Sequence, residues 1–498
     1  MRWNRPKQEL PAQTKAPPSV MATQSDLEAA YRLVLGRDVD PEGLRHYGEL
    51  VTRGMPLRAL IETLLGSDEF RARGRSDSEA RPLSHEPLLN PDSGQVPGAG
   101  REIDPAEIIH RYTVEELIET AEEYYRRVTD PTPLMSKPFS FLHEAPEMLE
   151  NLGHLLGGLE LGKSMTVLDF GAGTCWLSRL IAQLNCRPIC CDASRTALEI
   201  GRRLFAEHPL IGTAAYAPQF LLFDGHQIEL PDQSVDRIIC FDAFHHIPNQ
   251  QEVLVELGRV LRAGGIAAFS EPGPRHSHSP QSQYEMRHHR VLENDIDVPA
   301  IFGRAQRAGF TNLTVKGLAN ISLSRNEYEA VVTGSIGQSL AHAICDNVRD
   351  TVQHRSIFFL HKGPLQRDSR SHAGLRHNLA ISKLQYRLGP GEPLIVELTI
   401  ENTGEARWLK SNDGIYGVVR IGTHLYDDRG RLLSIDHSRH ELSESVEPGH
   451  SLSMRITVPL PDNGDYEIVV DLVAEGVTWF ENMGSTPVVL EALRRTEG

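Results

Sequence analysis

Over residues 21–74 the apolar positions recur every three to four residues. From about 165 to 360, short apolar runs alternate with such helical stretches, and beyond 390 the period falls to two. The first stretch predicts a small helical bundle. Ser25-Asp-Leu-Glu28 reads as a capping box, with Leu27, Tyr31 and Val34 on one face and Gly36 at the end. Asp40-Pro41 opens a second helix through Leu44, Tyr47 and Val51, closed by Gly54. Leu57, Leu60, Ile61 and Leu64 form a third face, and Gly66-Ser67 restarts a short helix through Phe70. The middle stretch predicts an acidic helix at 113–127, a helix at 145–156, and strands at 166–170, 188–192, 219–224, 236–241, 265–270, 311–315 and 355–362. Helices at 176–184, 194–206, 250–261 and 299–308 separate most of them. Seven strands joined by crossover helices make a doubly wound sheet, which binds ligands at the carboxyl ends of its strands. The last stretch, with strands at 394–400, 416–421, 452–458 and 466–472, predicts an all-β sandwich. Its turns fall at Asn402-Thr-Gly404, Asp428-Arg-Gly430, Pro448-Gly449 and Asp462-Asn-Gly464.

The divisions expected are a disordered tail at 1–20, a helical docking domain at 21–74, a Ser/Pro/Gly-rich linker at 75–105, and an α/β domain at 106–363. A second linker at 364–380 and the sandwich at 381–498 complete the chain. Charge narrows the function: 51 Lys and Arg against 67 Asp and Glu give a net charge of -16, which repels nucleic-acid phosphates. Six cysteines without metal-ligand spacing read as reduced thiols, five of them in apolar strands and turns. With no apolar signal region and no long apolar span, the expected location is cytoplasmic and the expected state soluble.

The strongest chemical signal is Val167-Leu-Asp-Phe-Gly-Ala-Gly-Thr-Cys-Trp176, with Asp192 lying 21 residues beyond Gly171 at the end of the next strand. Gly171 and Gly173 let the backbone approach a ligand, and an acid at a strand end can accept two ribose hydroxyls. A dinucleotide site would want a glycine where Trp176 stands, so the turn suits a nucleoside without phosphates, of which S-adenosylmethionine is the obvious one. Residues 165–315 resemble class I S-adenosylmethionine-dependent methyltransferases, closest in style to the quinone-biosynthesis type. The resemblance implies a Rossmann-like seven-stranded domain with the cofactor held by Asp169, Gly171, Ala172, Gly173, Asp192, Ala193, Asp224, Gly225, Phe241 and Asp242. Cys175 departs from the usual final glycine of the first motif. Asp192 also reads as a strand-end helix cap, and Asp224-Gly225 as a plain turn. Tyr124-Tyr125 and the segment 133–139 are expected to fold over the cofactor as a lid, or to cover the sheet.

A hydroxyl acceptor calls for a general base. His245 and His246 stand at the end of the fourth strand, and His276 is a further candidate; packing roles compete for all three. The polar segment 270–289 is expected to be a long substrate loop, with Glu271, Gln283, Tyr284 and Arg287 as substrate-binding groups. Its histidines lack a regular ligand spacing, so no metal is assigned. It resembles the corresponding region of methyltransferases from surface-polysaccharide clusters, which implies a glycan acceptor. Residues 31–70 resemble a small helical domain related to phycobilisome linker repeats, implying docking to a protein partner. Residues 402–408 and 471–484 resemble an immunoglobulin-like sandwich, whose Trp408, Trp479 and Phe480 read as core or as plates for sugar rings. The function expected is O-methylation of a sugar or surface-glycan precursor, with possible peripheral contact to envelope-biosynthesis machinery. The alternatives are a lipid or quinone-like acceptor, and a glycan-binding or scaffolding protein with a vestigial methyltransferase fold.

Overall fold

The computed structural model describes residues 21–65 except 36 and 38, residue 67, and then 101–208, 216–384, 387–388, 392–411, 416–461 and 465–494. The expected tail at 1–20, all but residue 67 of the short helix at 66–70, most of the 75–105 linker and the 462–464 turn lie outside the described residues. The chain divides into two units, Met1–Pro87 and Leu88–Gly498.

In the first unit three helices, Gln24–Leu35, Pro41–Thr52 and Leu57–Leu65, bury Leu27, Tyr31, Val51, Leu60 and Leu64. Asp40 caps the second helix by accepting from the backbone of Glu42 and Gly43. The first cap differs from the expectation. Thr23 and Asp26 make the reciprocal pair, at 2.8 and 3.2 Å, two residues before the Ser25–Glu28 box. The earlier frame wins because the helix already starts at Gln24.

In the second unit, strands β1 (Thr166–Phe170), β2 (Arg187–Asp192), β3 (Gln219–Leu222), β4 (Val235–Phe241), β5 (Leu261–Pro272), β6 (Asn312–Val315) and β7 (Arg355–His361) form one sheet. Its order is β3-β2-β1-β4-β5-β7-β6. The first five strands run parallel, while β7 is antiparallel to β5 and β6. The chain steps outward from β1 to β3 and returns to β4 on the other side of β1, so the switch point lies between β1 and β4. Every residue of β4 is buried, as a central strand covered on both faces requires. One face packs Leu168, Ile238, Phe269 and Phe358 under the helices Gln250–Val260 and Val298–Arg307. The other packs Val167, Ile239, Ala268 and Phe359 under Ala145–Leu159 and Trp176–Gln183.

Two helices between β6 and β7, Arg325–Thr333 and Gln338–His354, have no counterpart in the sequence reading. Neither buries a residue, so neither carries the core-facing stripe on which that reading relied.

The remaining strands are β8 (Arg367–Asp368), β9 (His377–Leu384), β10 (Arg387–Leu388), β11 (Leu394–Asn402), β12 (Ala406–Arg407), β13 (Val419–Asp427), β14 (Leu432–Glu441), β15 (Ser451–Val458), β16 (Tyr466–Ala474), β17 (Thr478–Trp479) and β18 (Val488–Arg494). Sheets of order β10-β18-β16-β13-β14 and β15-β11-β9 enclose a core of Leu394, Val396, Leu398, Ile421, Ile468 and Leu472. Trp408 and Phe480 are fully buried in that core, edge to face at 5.5 Å, so neither is a plate for a sugar ring. Trp479 lies under the Arg439 guanidinium at 4.4 Å.

Residues 364–380 are not the loose linker expected. Arg370 reaches the buried Asp236 of β4 at 2.9 and 3.2 Å, and Arg367 makes a two-pronged pair with Glu160 at 2.7 and 2.8 Å. Lys163 donates to the Gly476 carbonyl at 2.6 Å. These bonds fasten the two-sheet part to the edge of the α/β part.

Candidate active site

The turn after β1 is set by two glycines. Gly171, at φ +74°, would bring a Cβ to 2.2 Å from the Ala243 Cβ, and Gly173, at φ +51°, would bring one to 2.7 Å from the Tyr125 hydroxyl. Only glycine meets both the dihedral and the close approach. Asp169 lies beneath this turn. Its carboxylate accepts from Ser178 Oγ at 2.5 Å, and burial raises its pKa to about 7 against that hydrogen bond. It is almost wholly buried and supports the turn from below. Cys175 takes a left-handed conformation at φ 60° and is fully buried. It fits because residue 201 opposite is glycine, where a Cβ would stand 2.4 Å from the Cys175 Sγ.

Asp192 ends β2. Its Oδ2 accepts from Gly173 N at 2.7 Å and its Oδ1 from Ser194 N at 2.8 Å. Burial raises its pKa, opposed by these backbone donors. The cap of the next helix, Arg195–Glu207, is Ser194, which accepts from Ala197 N, so the helix-cap role falls to Ser194 and not to Asp192. Ala193 between them is partly exposed. At the end of β3, Asp224 Oδ1 accepts from His226 N and Gln227 N, both at 2.8 Å, closing its own turn around Gly225 at φ +98°.

The helix Val114–Arg127 crosses these strand ends. A Cβ on Gly225 would meet Ile118 Cδ1 at 2.2 Å, and half-buried Tyr125 stands over Gly173. Glu122 accepts from Ser194 Oγ at 2.6 Å, Thr196 N at 3.0 Å and Thr196 Oγ1 at 2.7 Å. Partial burial pushes the Glu122 pKa up, but these donors outweigh it and hold it at about 2.

At the end of β4, Phe241 meets Trp176 edge to face at 5.5 Å. Asp242, at φ 50°, is ion-paired to Arg355 at the start of β7. A 3₁₀ turn, Phe244–His246, follows. Glu271 of β5 is fully buried beneath it and accepts from the backbone N–H of Ala243, Phe244 and His245 at 3.1, 3.0 and 3.3 Å. It also takes His245 Nδ1 at 2.7 Å. Glu271 is therefore an anchor of the turn, which corrects its assignment to substrate. With Nδ1 donating to a carboxylate, the lone pair of His245 lies on Nε2.

That Nε2 stands 3.8 Å from Glu293 Oε2, and His276 Nε2 stands 2.6 Å from the same oxygen. His246 Nδ1 meets the Leu292 carbonyl at 2.7 Å, so its lone pair is on Nε2. Burial pushes the Glu293 pKa up, and His246, His276 and His245 overcome it to leave about 2. The structure thus brings together the three histidines singled out in the sequence and adds Glu293. The sequence reading missed Glu293 because it ended the segment at His289. The run Leu292-Glu-Asn-Asp295, a cluster of polar groups just beyond an apolar residue, was the available signal.

The rest of the 270–289 segment is more ordered than a loop. Ser279 caps a helix, Pro280–His289, with proline at its first position. Gln283 is spent on clamping the chain at Ile103, to whose N–H and carbonyl it bonds at 2.8 and 2.9 Å, while Arg287 is exposed and donates to the Arg101 carbonyl at 3.0 Å. Tyr284 packs on His288 at 4.6 Å and keeps an exposed edge.

Residues 168–269 match the family model described as a methyltransferase domain. The seven-stranded part, with this turn and these strand-end acids, is a class I methyltransferase domain, and S-adenosylmethionine is its cofactor. In particular, the chain is similar to the malonyl-[acyl-carrier protein] O-methyltransferase of Yersinia pestis, 35% identical over 131 residues that cover 25% of this chain and 44% of that protein. It is also similar to the demethylmenaquinone methyltransferase of Parafrankia sp. (strain EAN1pec), 31% identical over 142 residues, 26% of this chain and 56% of that one. The chain spans about half the length, or less, of the curated relatives it matches. Among solved structures, phosphoethanolamine N-methyltransferase 2 of Haemonchus contortus overlays with a TM-score of 0.33 at 14% identity, covering 53% of this chain and 60% of that one.

The residues present fit the cofactor. Gly171, Gly173 and Gly225 present bare backbone at the strand ends, Asp192 accepts from Gly173 N beside them, and Phe241 adds an apolar face. Among the described residues no helix is long and apolar enough to cross a membrane.

Proposed function

We infer that the protein is an O-methyltransferase that uses S-adenosylmethionine and acts on a hydroxyl of a sugar or surface-glycan precursor. The observation that carries this reading is the acid–imidazole cluster in which buried His245 and Glu293 meet the more exposed His246 and His276, after the ends of β4 and β5. The bound cofactor supplies a methyl group already activated on a cationic sulfur. The chain's own work is to orient that group, exclude water and deal with the hydroxyl proton.

Asp192 takes the ribose hydroxyls, and Asp224 with Gly225 borders the adenine edge. Tyr125 and its helix shut water out from above. The lone pair on His246 Nε2, on a side chain 41% exposed, can take a hydroxyl proton or a hydrogen bond from the acceptor. The relatives' names cover malonyl-[acyl-carrier protein] and demethylmenaquinone as acceptors, so they do not choose one for this chain. The density of polar groups favours an acceptor rich in oxygen. Residues 21–74 act as a docking unit for a protein partner, and the two-sheet part is an immunoglobulin-like companion module of a cytoplasmic enzyme.

Titration calorimetry with S-adenosylhomocysteine tests this. A saturable one-to-one heat is expected. Asp192→Ala, which removes a charged hydrogen-bond partner, should weaken binding roughly 10- to 100-fold. No heat at millimolar ligand would sink the methyltransferase reading. Transfer of labelled methyl to a panel of sugars, lipids and quinols then identifies the acceptor class.

A further inference from the structure

We propose that His245, His276 and Glu293 form a site for one divalent transition-metal cation, and that the cation's open coordination positions take the acceptor's oxygen atoms. The proposal rests on the methyl-transfer reading for the identity of the acceptor, and on geometry alone for the cation.

One donor atom from each of the three residues lies within 4.8 Å of the other two. Atoms at roughly 2.0–2.2 Å from a shared ion stand roughly 3–3.6 Å apart. The observed separations of 2.6 Å for His276–Glu293 and 3.8 Å for His245–Glu293 bracket that spacing. Small side-chain movements suffice to close it.

The donors come from three separate segments, the turns after β4 and β5 and the stretch beyond the helix Pro280–His289. They are held stiffly. Asn294 Nδ2 donates to the carbonyls of His245 and Ile247 at 2.9 and 3.1 Å, fixing the Glu293 segment to the His245 turn.

The tautomer is also set in advance. The Glu271 carboxylate, saturated by backbone N–H groups, holds His245 Nδ1–H and leaves Nε2 as the donor atom. A carboxylate behind a histidine is the arrangement that orients metal-bound imidazoles. His245 and Glu293 are almost wholly buried while the His276 side chain is 25% exposed, so the site has one wet edge through which ion and acceptor can arrive.

Two imidazoles and one carboxylate select Mn²⁺, Fe²⁺, Co²⁺ or Zn²⁺ over the all-oxygen preferences of Ca²⁺ and Mg²⁺, and three protein donors leave positions open. A hydroxyl bound there keeps its electron pair on oxygen and releases its proton to solvent, because the cation lowers its pKa as it does that of water. The acceptor class that best uses two neighbouring open positions is a vicinal diol, which a sugar carries.

The test uses the full chain, stripped with a chelator and titrated with Co²⁺ while its visible absorption is followed, with S-adenosylhomocysteine calorimetry in parallel. One Co²⁺ per chain is expected, displaceable by Zn²⁺. His276→Asn, at the partly exposed position, and Glu293→Gln should each abolish the saturable band. Glu271→Gln should weaken binding roughly 10- to 100-fold. Circular dichroism checks that each variant is folded. If S-adenosylhomocysteine binds while Co²⁺ gives no saturable band, or gives one that the variants leave intact, the cation site is overturned and the methyltransferase reading stands. If Co²⁺ binds and the variants lose it while S-adenosylhomocysteine gives no heat, the cation site stands and the methyltransferase reading falls.

Discussion

Cys175 is tolerated by one atom's absence elsewhere. Its thiol occupies the space that a Cβ on Gly201 would need, so the irregular turn and the plain helical glycine are one packing unit. Glycine inside a helix costs about 1 kcal/mol relative to alanine, and Gly201→Ala would ordinarily stabilise. Here the overpacking, about 1–3 kcal/mol, should win and lower the midpoint of urea unfolding. Cys175→Ala should restore only part of it in the double variant, because the Cβ of residue 175 would still stand 2.9 Å from the new one. Equal midpoints for Gly201→Ala and the parent would show that the helix can shift at no cost. The same pair marks the limit of reading residues one at a time. The glycines, Asp192 and the histidines announced themselves by type and spacing. What each oxygen or nitrogen does depended on partners far along the chain. Glu271 looked like a substrate group because a polar residue at a strand end is usually wet; its burial against three backbone N–H groups appears only once β5 lies beside the turn.

At the scale of elements, Glu122 ties the helix Val114–Arg127 to the start of the helix Arg195–Glu207 through three hydrogen bonds. Glu122 has a folded pKa of about 2, below its ordinary 4.5. A depressed acid contributes stability that is complete above its unfolded pKa and is lost as pH falls toward the folded one. The parent should therefore lose resistance to proteolysis at 101–140 as pH drops below about 4.5, more steeply than Glu122→Gln, which lacks that contribution at every pH. Parallel pH profiles for the two would show that Glu122 does not fasten the helix. The central strands were legible because buried strands are apolar runs bounded by turns. The helices at 325–333 and 338–354 were not, since neither has a buried face, although Ser324 and Glu327 form a capping box that local inspection finds.

For the whole molecule, the join between the α/β and two-sheet parts rests on charge. Asp236 is buried and Arg370 nearly so; without Arg370 the carboxylate keeps Arg262 and the Thr166 N–H but loses a two-pronged charged partner, at a cost of about 1–3 kcal/mol. Arg370→Met should lower stability by that order and split one unfolding transition into two, read by circular dichroism and by tryptophan fluorescence from the two-sheet part. A single transition with unchanged midpoint would mean that the join contributes nothing. The segment looked like a linker because Ser, Arg, His and Gly dominate it, and composition does not record which of its charges find a buried partner.

The position of Tyr125 over Gly173 also bears on time. Whatever lies on that turn leaves only when the helix above it lifts, so release of the spent cofactor inherits the opening rate of the helix. Loosening the Glu122 hold would then shorten the residence of the product and speed the cycle, even as it admits more water.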